Sequence, residues 1–211
     1  MHEPKKERAD LWVIERELFA QGIDPVCGCD EAGAGPLAGP VYAAAVILPP
    51  ELIINGLNDS KQLSEKKREE LFDIIKAEAL AFAITSIDSD EIDETDILTS
   101  RLKAMDMAIA QLSVKPAFAL IDGNRNRGIS VSNRMVIKGD SLSANIAAAS
   151  ILAKVSRDRF MVELDRLYPQ YGFARHKGYG TAAHYAALRE FGPSPVHRLS
   201  FLKKGLHGEE A

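Results

Sequence analysis

Val26-Cys27-Gly28-Cys29-Asp30-Glu31-Ala32-Gly33-Ala34-Gly35-Pro36-Leu37-Ala38-Gly39-Pro40-Val41-Tyr42-Ala43-Ala44-Ala45-Val46-Ile47-Leu48 is the stretch on which the fold assignment turns. Two apolar runs flank a glycine- and proline-rich turn. Val26 to Asp30 reads as a short strand that ends in Asp30-Glu31. Val41 to Leu48, closed by Pro49-Pro50, reads as a buried strand. Gly33-Ala34-Gly35-Pro36-Leu37-Ala38 formally fits the dinucleotide-binding pattern, but that pattern must open a helix. Here Pro40 and the run after it point to a second strand, and Asp30-Glu31 would stand against a pyrophosphate. The better use of these glycines is close backbone approach to something anionic or bulky beside the acids.

Working outward, Ala9 to Gln21 reads as a helix with Leu11, Ile14 or Glu15, Leu18 and Phe19 on one face and Gly22 as its C-cap. A loop through residues 55–61 precedes a helix capped by Ser64. Ala81–Ile87, Phe118–Ile121 and Val131–Ile137 read as strands, and Thr95–Leu112 as an amphipathic helix. A long helix runs from about Ser143 to Leu167, and a last clear one covers Ala182–Phe191. This order predicts an α/β fold: one mixed sheet flanked by helices, with a helical C-terminal extension. The expected division is an N-terminal helical segment (1–22), a core (23–168) and a C-terminal helical part (169–211).

Strand ends carry the chemistry. Asp30-Glu31, Asp122-Gly123 and Gly139-Asp140 each close an apolar run with an acid beside glycine. One such ending is ordinary turn chemistry. If the strands are neighbours, four carboxylates converge, and they cannot all stay ionised without compensation. Hard oxygen ligands suit Mg²⁺ or Mn²⁺, and a pair of such ions is the usual arrangement for phosphodiester cleavage. Asp158, well inside a helix, reads as structural. The five histidines are scattered, so a zinc hydrolase is disfavoured. Cys27 and Cys29 are badly spaced for a disulfide and too few for a cysteine zinc site.

With 211 residues, 46% of them hydrophobic, the chain can bury a substantial core. No apolar run is long enough to span a membrane, and the polar N-terminus carries no signal core, so a cytoplasmic, monomeric protein is expected. The net charge of −4 conceals an asymmetry. Residues 1–120 hold 12 basic and 22 acidic residues, whereas residues 121–211 hold 14 and 8. That division permits a basic face beside an acidic pocket.

The acids and turns belong to a colinear set. Asp30 to Pro40, Leu57-Asn58-Asp59-Ser60-Lys61, Ile121-Asp122-Gly123-Asn124, Lys138-Gly139-Asp140-Ser141, Ala147 to Val155 and His176-Lys177-Gly178-Tyr179 together resemble the signature of type 2 ribonuclease H in its bacterial form, across residues 25–200. The resemblance implies a ribonuclease H-like fold with a mixed five-stranded sheet. It also implies hydrolysis of the RNA strand of RNA–DNA hybrids and incision of duplex DNA on the 5′ side of an embedded ribonucleotide. Asp30, Glu31, Asp122 and Asp140 would then hold two divalent ions. Gly33, Ala34 and Gly35 would meet the ribonucleotide through backbone amides, and Tyr179 the following sugar. Lys61, Ser143 and Ser150 would contact phosphates, while Lys154 and Arg157 either reach the duplex or merely solvate a helix face.

One departure is evident: the family turn is normally Gly-Arg-Gly, and position 34 is alanine, which implies weaker junction recognition. Two rival readings follow, a non-catalytic hybrid-binding protein and an enzyme of the same fold acting on ordinary hybrids. A clamp-type partner docking on Phe201-Leu202 has as its rival the packing of that pair on the protein's own core.

Overall fold

β1 (Val26–Ala32) is the middle strand of a five-stranded sheet in the computed structural model, which describes residues 10–58, 60–125 and 127–205. Its antiparallel neighbour is β2 (Val41–Ile47), followed outward by β3 (Ala81–Ile87). On the other side lie β4 (Phe118–Asp122) and β5 (Asn133–Val136), both parallel. The mixed sheet, the flanking helices and the C-terminal helical part agree with the expected architecture. Among the described residues no helix is long and apolar enough to cross a membrane.

β1 passes through the acids rather than ending at them. Asp30 pairs with Ala44 and Glu31 with Ala43 of β2, so both carboxylates leave from regular strand backbone. Turn propensity was overridden by sheet pairing, because the small β2 residues leave both faces of β1 open to helices. β5 is shorter than expected, and Asp140 lies beyond it in a 3-10 turn, Gly139–Ser141.

The helices cover the sheet as two layers. On one face α4 (Ile97–Ala110) sets Leu102, Met105, Ala108 and Ile109 against Cys27, Cys29, Ala43, Ala45 and Ile121. On the other, α2 (Glu65–Glu78) and α5 (Ala144–Leu167) bury Leu71, Phe72, Ile75, Ala148, Ile151 and Leu152 against Ala44 and Val46. The helix expected over 95–112 is α4, started by the Asp96 side chain accepting from Thr99 N–H at 2.9 Å; a short helix absent from the sequence reading, α3 (Ser89–Glu94), precedes it. The N-terminal helix α1 (Val13–Phe19) is shorter than its apolar pattern and closes at Ala20, not at Gly22; Ala9 lies outside the described residues.

α5 is anchored where its first turn crosses β1. Ser143, its N-cap, accepts from Ile146 N–H and donates to the buried Glu15 carboxylate at 2.6 Å. The Asn145 amide oxygen accepts from Leu48 N–H at 2.7 Å, tying the helix to the end of β2. Gly28 makes the crossing sterically feasible, since a Cβ there would lie 2.2 Å from the backbone of Asn145 and Ile146. Gly28→Ala should therefore cost about 3 kcal/mol, at the upper end for an overpacked core. Urea unfolding checks this, and a midpoint equal to that of the parent protein would contradict it.

Candidate active site

Strand alternation sends Asp30 and Glu31 to opposite faces at the end of β1. Asp30 faces α5, while Glu31 faces α4 and meets Arg101, whose Nη1 donates to its Oε1 at 3.1 Å. Asp122 is the last residue of β4, and because β4 runs parallel to β1, it emerges at the same edge. Asp140 is brought back by the 3-10 turn after Lys138, which adopts a left-handed conformation at φ 57°. That turn is latched to the neighbouring acid: Gly139 N–H donates to Asp122 Oδ1 at 2.7 Å. All four acids expected to share a site thus stand along one sheet edge.

Their electrostatics show mutual strain. Burial pushes the Asp30 carboxyl well above the usual range, and the charges of Glu31, Asp122 and Asp140 push it further. Burial also raises Glu31, while Arg101 and Lys61 pull it down and Asp122 raises it. Lys61, with a side chain 77% exposed, holds Nζ 3.8 Å from Asp140 Oδ2. Two rim cations therefore face four acids, and Glu31 Oε2 is buried with no hydrogen-bond partner. Among the described residues, no group of three or more acids, histidines or cysteines stands in an arrangement that could by itself hold a metal ion. An orphaned carboxylate oxygen among crowded acids is nonetheless a donor set that fits hard divalent cations.

The 33–40 turn beside the acids is shaped by two buried arginines that the sequence left unread or undecided. Arg198 donates to the carbonyls of Gly33, Ala34 and Gly39 at 2.7–3.1 Å. Arg157 donates to those of Ala38, Pro40 and Lys177 at 3.0–3.2 Å. Arg157 is thus an internal brace rather than a duplex contact. Gly33, at φ 94°, is pressed so close to it that a Cβ would lie 1.9 Å from Nε. Among the described residues the amides of 33–35 donate no hydrogen bond. The Tyr179 ring lies beside Gly35, its Cε1 3.7 Å from where a Cβ would sit, and is 46% exposed.

Two expectations need correction. Ser143 and Ser150 are buried, Ser143 bonded to Glu15 and Ser150 donating to Ala147 O at 2.9 Å. Their hydroxyls serve the start of α5, and neither presents a phosphate contact at the surface. Asp158 is structural as expected, paired with Lys154 at 2.7 Å and near Arg68. A cavity of about 530 Å³ between Trp12, Leu52, Ile54 and Leu63 is lined by none of the four acids.

Residues 27–204 match the family model described as ribonuclease HII. The chain belongs to the ribonuclease HII family. A ribonuclease HII from Ruminiclostridium cellulolyticum is 52% identical over 96% of this chain and 80% of its own length. Among solved structures, the ribonuclease H2 of Pyrococcus horikoshii is similar at a TM-score of 0.71 and 26% identity, over 85% of this chain and 95% of that one. The ribonuclease HII of Archaeoglobus fulgidus, solved as a complex with PCNA, is similar at 0.70 and 25%, over 82% and 93%. This family member is accordingly an enzyme. Its own Phe201-Leu202 pair packs inward: Leu202 is buried among Leu37, Met161 and Leu188, and the Phe201 ring lies 5.2 Å from the Arg198 guanidinium. The apolar foothold suggested for a clamp is therefore occupied by the protein's own core.

A histidine relay holds the loop that carries Tyr179. Ser194 N–H donates to His197 Nδ1 at 2.9 Å, so Nε2 of His197 bears its proton and donates to His184 Nε2 at 2.9 Å. His184 Nδ1–H then donates to Tyr179 O at 3.0 Å. Both rings must be neutral for this chain of bonds. Burial, followed by the neighbouring His184, lowers His197 from 6.5 to about 4. The unfolded chain takes up that proton first, so stability falls as pH drops from 6.5 toward 4. The ¹⁵N shifts of His197 should show a protonated Nε2 and a bare Nδ1, unchanged until close to pH 4; an inflection near 6.5 would contradict this arrangement.

Proposed function

We propose that this chain is a divalent-metal-dependent endonuclease that cuts the RNA strand of RNA–DNA hybrids and incises duplex DNA on the 5′ side of an embedded ribonucleotide. Its products would be a 3′-hydroxyl and a 5′-phosphate. The observation that carries the reading is the convergence of Asp30, Glu31, Asp122 and Asp140 at one sheet edge, with the burial-raised Asp30 and the orphaned Glu31 Oε2 among them. Those four carboxylates would hold two Mg²⁺ or Mn²⁺ ions, which supply an activated water and stabilise the leaving oxygen when bound. Family membership supports the same reading.

The chain's own residues do the positioning. The unengaged amides of Gly33, Ala34 and Gly35 are placed to meet the ribose 2′-hydroxyl and adjoining backbone. Tyr179, braced through His184, covers the next sugar and favours one without a 2′-hydroxyl. Lys61 is the phosphate contact at the rim beside Asp140. Residues 169–211 form the part that grips the duplex, and the positive balance of residues 121–211 makes that grip salt-sensitive. Alanine at 34 brings no charge to the turn, so discrimination of a lone ribonucleotide rests on the amides and Tyr179 and is weaker than an arginine there would give. The enzyme acts as a cytoplasmic monomer.

The test offers two substrates, a DNA duplex with one ribonucleotide and a long RNA–DNA hybrid, each with Mg²⁺, Mn²⁺ or chelator. Metal-dependent cutting of both is expected. Asp140→Asn should retain the fold and lose cleavage by roughly 1,000-fold, equivalent to about 4 kcal/mol of barrier. Binding without cutting by the unmodified chain would establish a non-catalytic hybrid binder instead. Cutting of the long hybrid alone would establish a relaxed enzyme without junction preference.

A further inference from the structure

The contact with Glu31 uses only one edge of the Arg101 guanidinium. Arg101 sits on α4 one turn before Met105, whose carbonyl accepts from Cys29 Sγ at 3.8 Å. Two residues along β1 span about the same distance as one helical turn, so α4 delivers Arg101 to Glu31 as it delivers Met105 to Cys29. A guanidinium has five N–H donors in a rigid fork. Among the described residues, one of these is used on Glu31, at 3.1 Å, and Nε is buried with no partner. Nη2 lies against Gly123, where a Cβ would come within 3.2 Å, so the group is wedged between the ends of β1 and β4.

It borders a cavity of about 230 Å³ lined by Ala34, Ile97, Leu98, Arg101, Asn124 and Arg125. The lining brings together two arginines and an asparagine, with Ala34 of the glycine turn among them. Among the described residues no carboxylate lines it. Arginine forks are the side chains best matched to the paired oxygens of a phosphodiester.

We propose that this cavity is a phosphate subsite, in which Arg101, supported by Arg125, grips a backbone phosphodiester of the strand that crosses the 33–35 turn. The inference rests on the nuclease reading above and deepens it: the cation that position 34 lacks is supplied from α4. Arg101 thereby serves two anions, Glu31 with one edge and the substrate with the other, which fixes the strand relative to the carboxylates. The bland alternative is that Arg101 only neutralises Glu31.

Equilibrium binding of a DNA duplex carrying one ribonucleotide, measured with Ca²⁺ across a salt series, separates the two. Arg101→Ala should weaken binding by roughly 10- to 100-fold, and the dependence of log K on log salt should become shallower by about 0.9. Arg101→Lys should keep the salt slope and recover only part of the affinity. Arg134→Ala, on the exposed side of β5, should change neither. The same loss must persist in a Glu31→Gln background. If it vanishes there, or if Arg101→Ala binds like the parent, the subsite is overturned while the nuclease reading stands. A parent protein that neither binds nor cuts the duplex overturns both. Should Arg101→Ala fail to fold, neutral methylphosphonates placed along the strand make the test with Arg101→Lys. One position beside the ribonucleotide should then cost the parent protein more than the variant, and equal losses at every position overturn the subsite.

Discussion

The loop from Gly33 to Pro40 is irregular backbone that lies largely inside the protein, where unpaired carbonyls are costly. No neighbouring strand satisfies Gly33, Ala34 and Gly39; the Arg198 guanidinium does, and Arg157 does the same for Ala38 and Pro40. Neither arginine has a carboxylate in these contacts. Burial lowers both below the ordinary guanidinium range, and the ring of carbonyl dipoles compensates for the lost water. Because Arg198 comes from the C-terminal part and Arg157 from α5, the glycine turn, the long helix and the C-terminal helices are fixed to one another. The position of Tyr179 over Gly35 follows, since Lys177 O, two residues before it, is held by Arg157.

That framework gives the acid cluster its setting. Parallel pairing of β1 and β4 brings Asp30, Glu31 and Asp122 to one edge, and the left-handed Lys138 returns Asp140 to it. Crowding like charges in a partly buried place is unfavourable for folding alone. Arg101 and Lys61 offset part of this from the rim, and the remainder is an electrostatic deficit of the kind divalent metal compensates. The site is accordingly an open edge with a small cationic cavity beside it, a shape suited to a polymer rather than to an enclosed small molecule.

Much of this was legible before any coordinates. The β2 and β3 runs, the Ser64 cap and the start of the long helix near Ser143 are local signals, carried by side-chain period and capping chemistry. The errors were also local. Asp30-Glu31 looked like a strand end because acids beside glycine favour turns, yet β2 paired with them. The short α3 went unread because its six residues carry one apolar side chain and so no period, whereas α4 was read to within two residues at each end. Ser143 and Ser150 were expected at phosphates through the family resemblance alone; Glu15 and the Ala147 carbonyl had claimed them.

The sequence by itself determined the chemical type of the site: which carboxylates exist, that glycines surround them, and that the basic charge lies in residues 121–211. Periodicity and capping act over a few residues, so they can be read along the chain. Only the tertiary structure decided which cations answer those acids and which arginines lie inside. Arg101 is separated from Glu31 by 70 residues and Arg198 from Gly33 by 165, and no local pattern records such pairings. They arise when helices settle on the two faces of the sheet, because burial then obliges every donor and acceptor at the contact to find a partner.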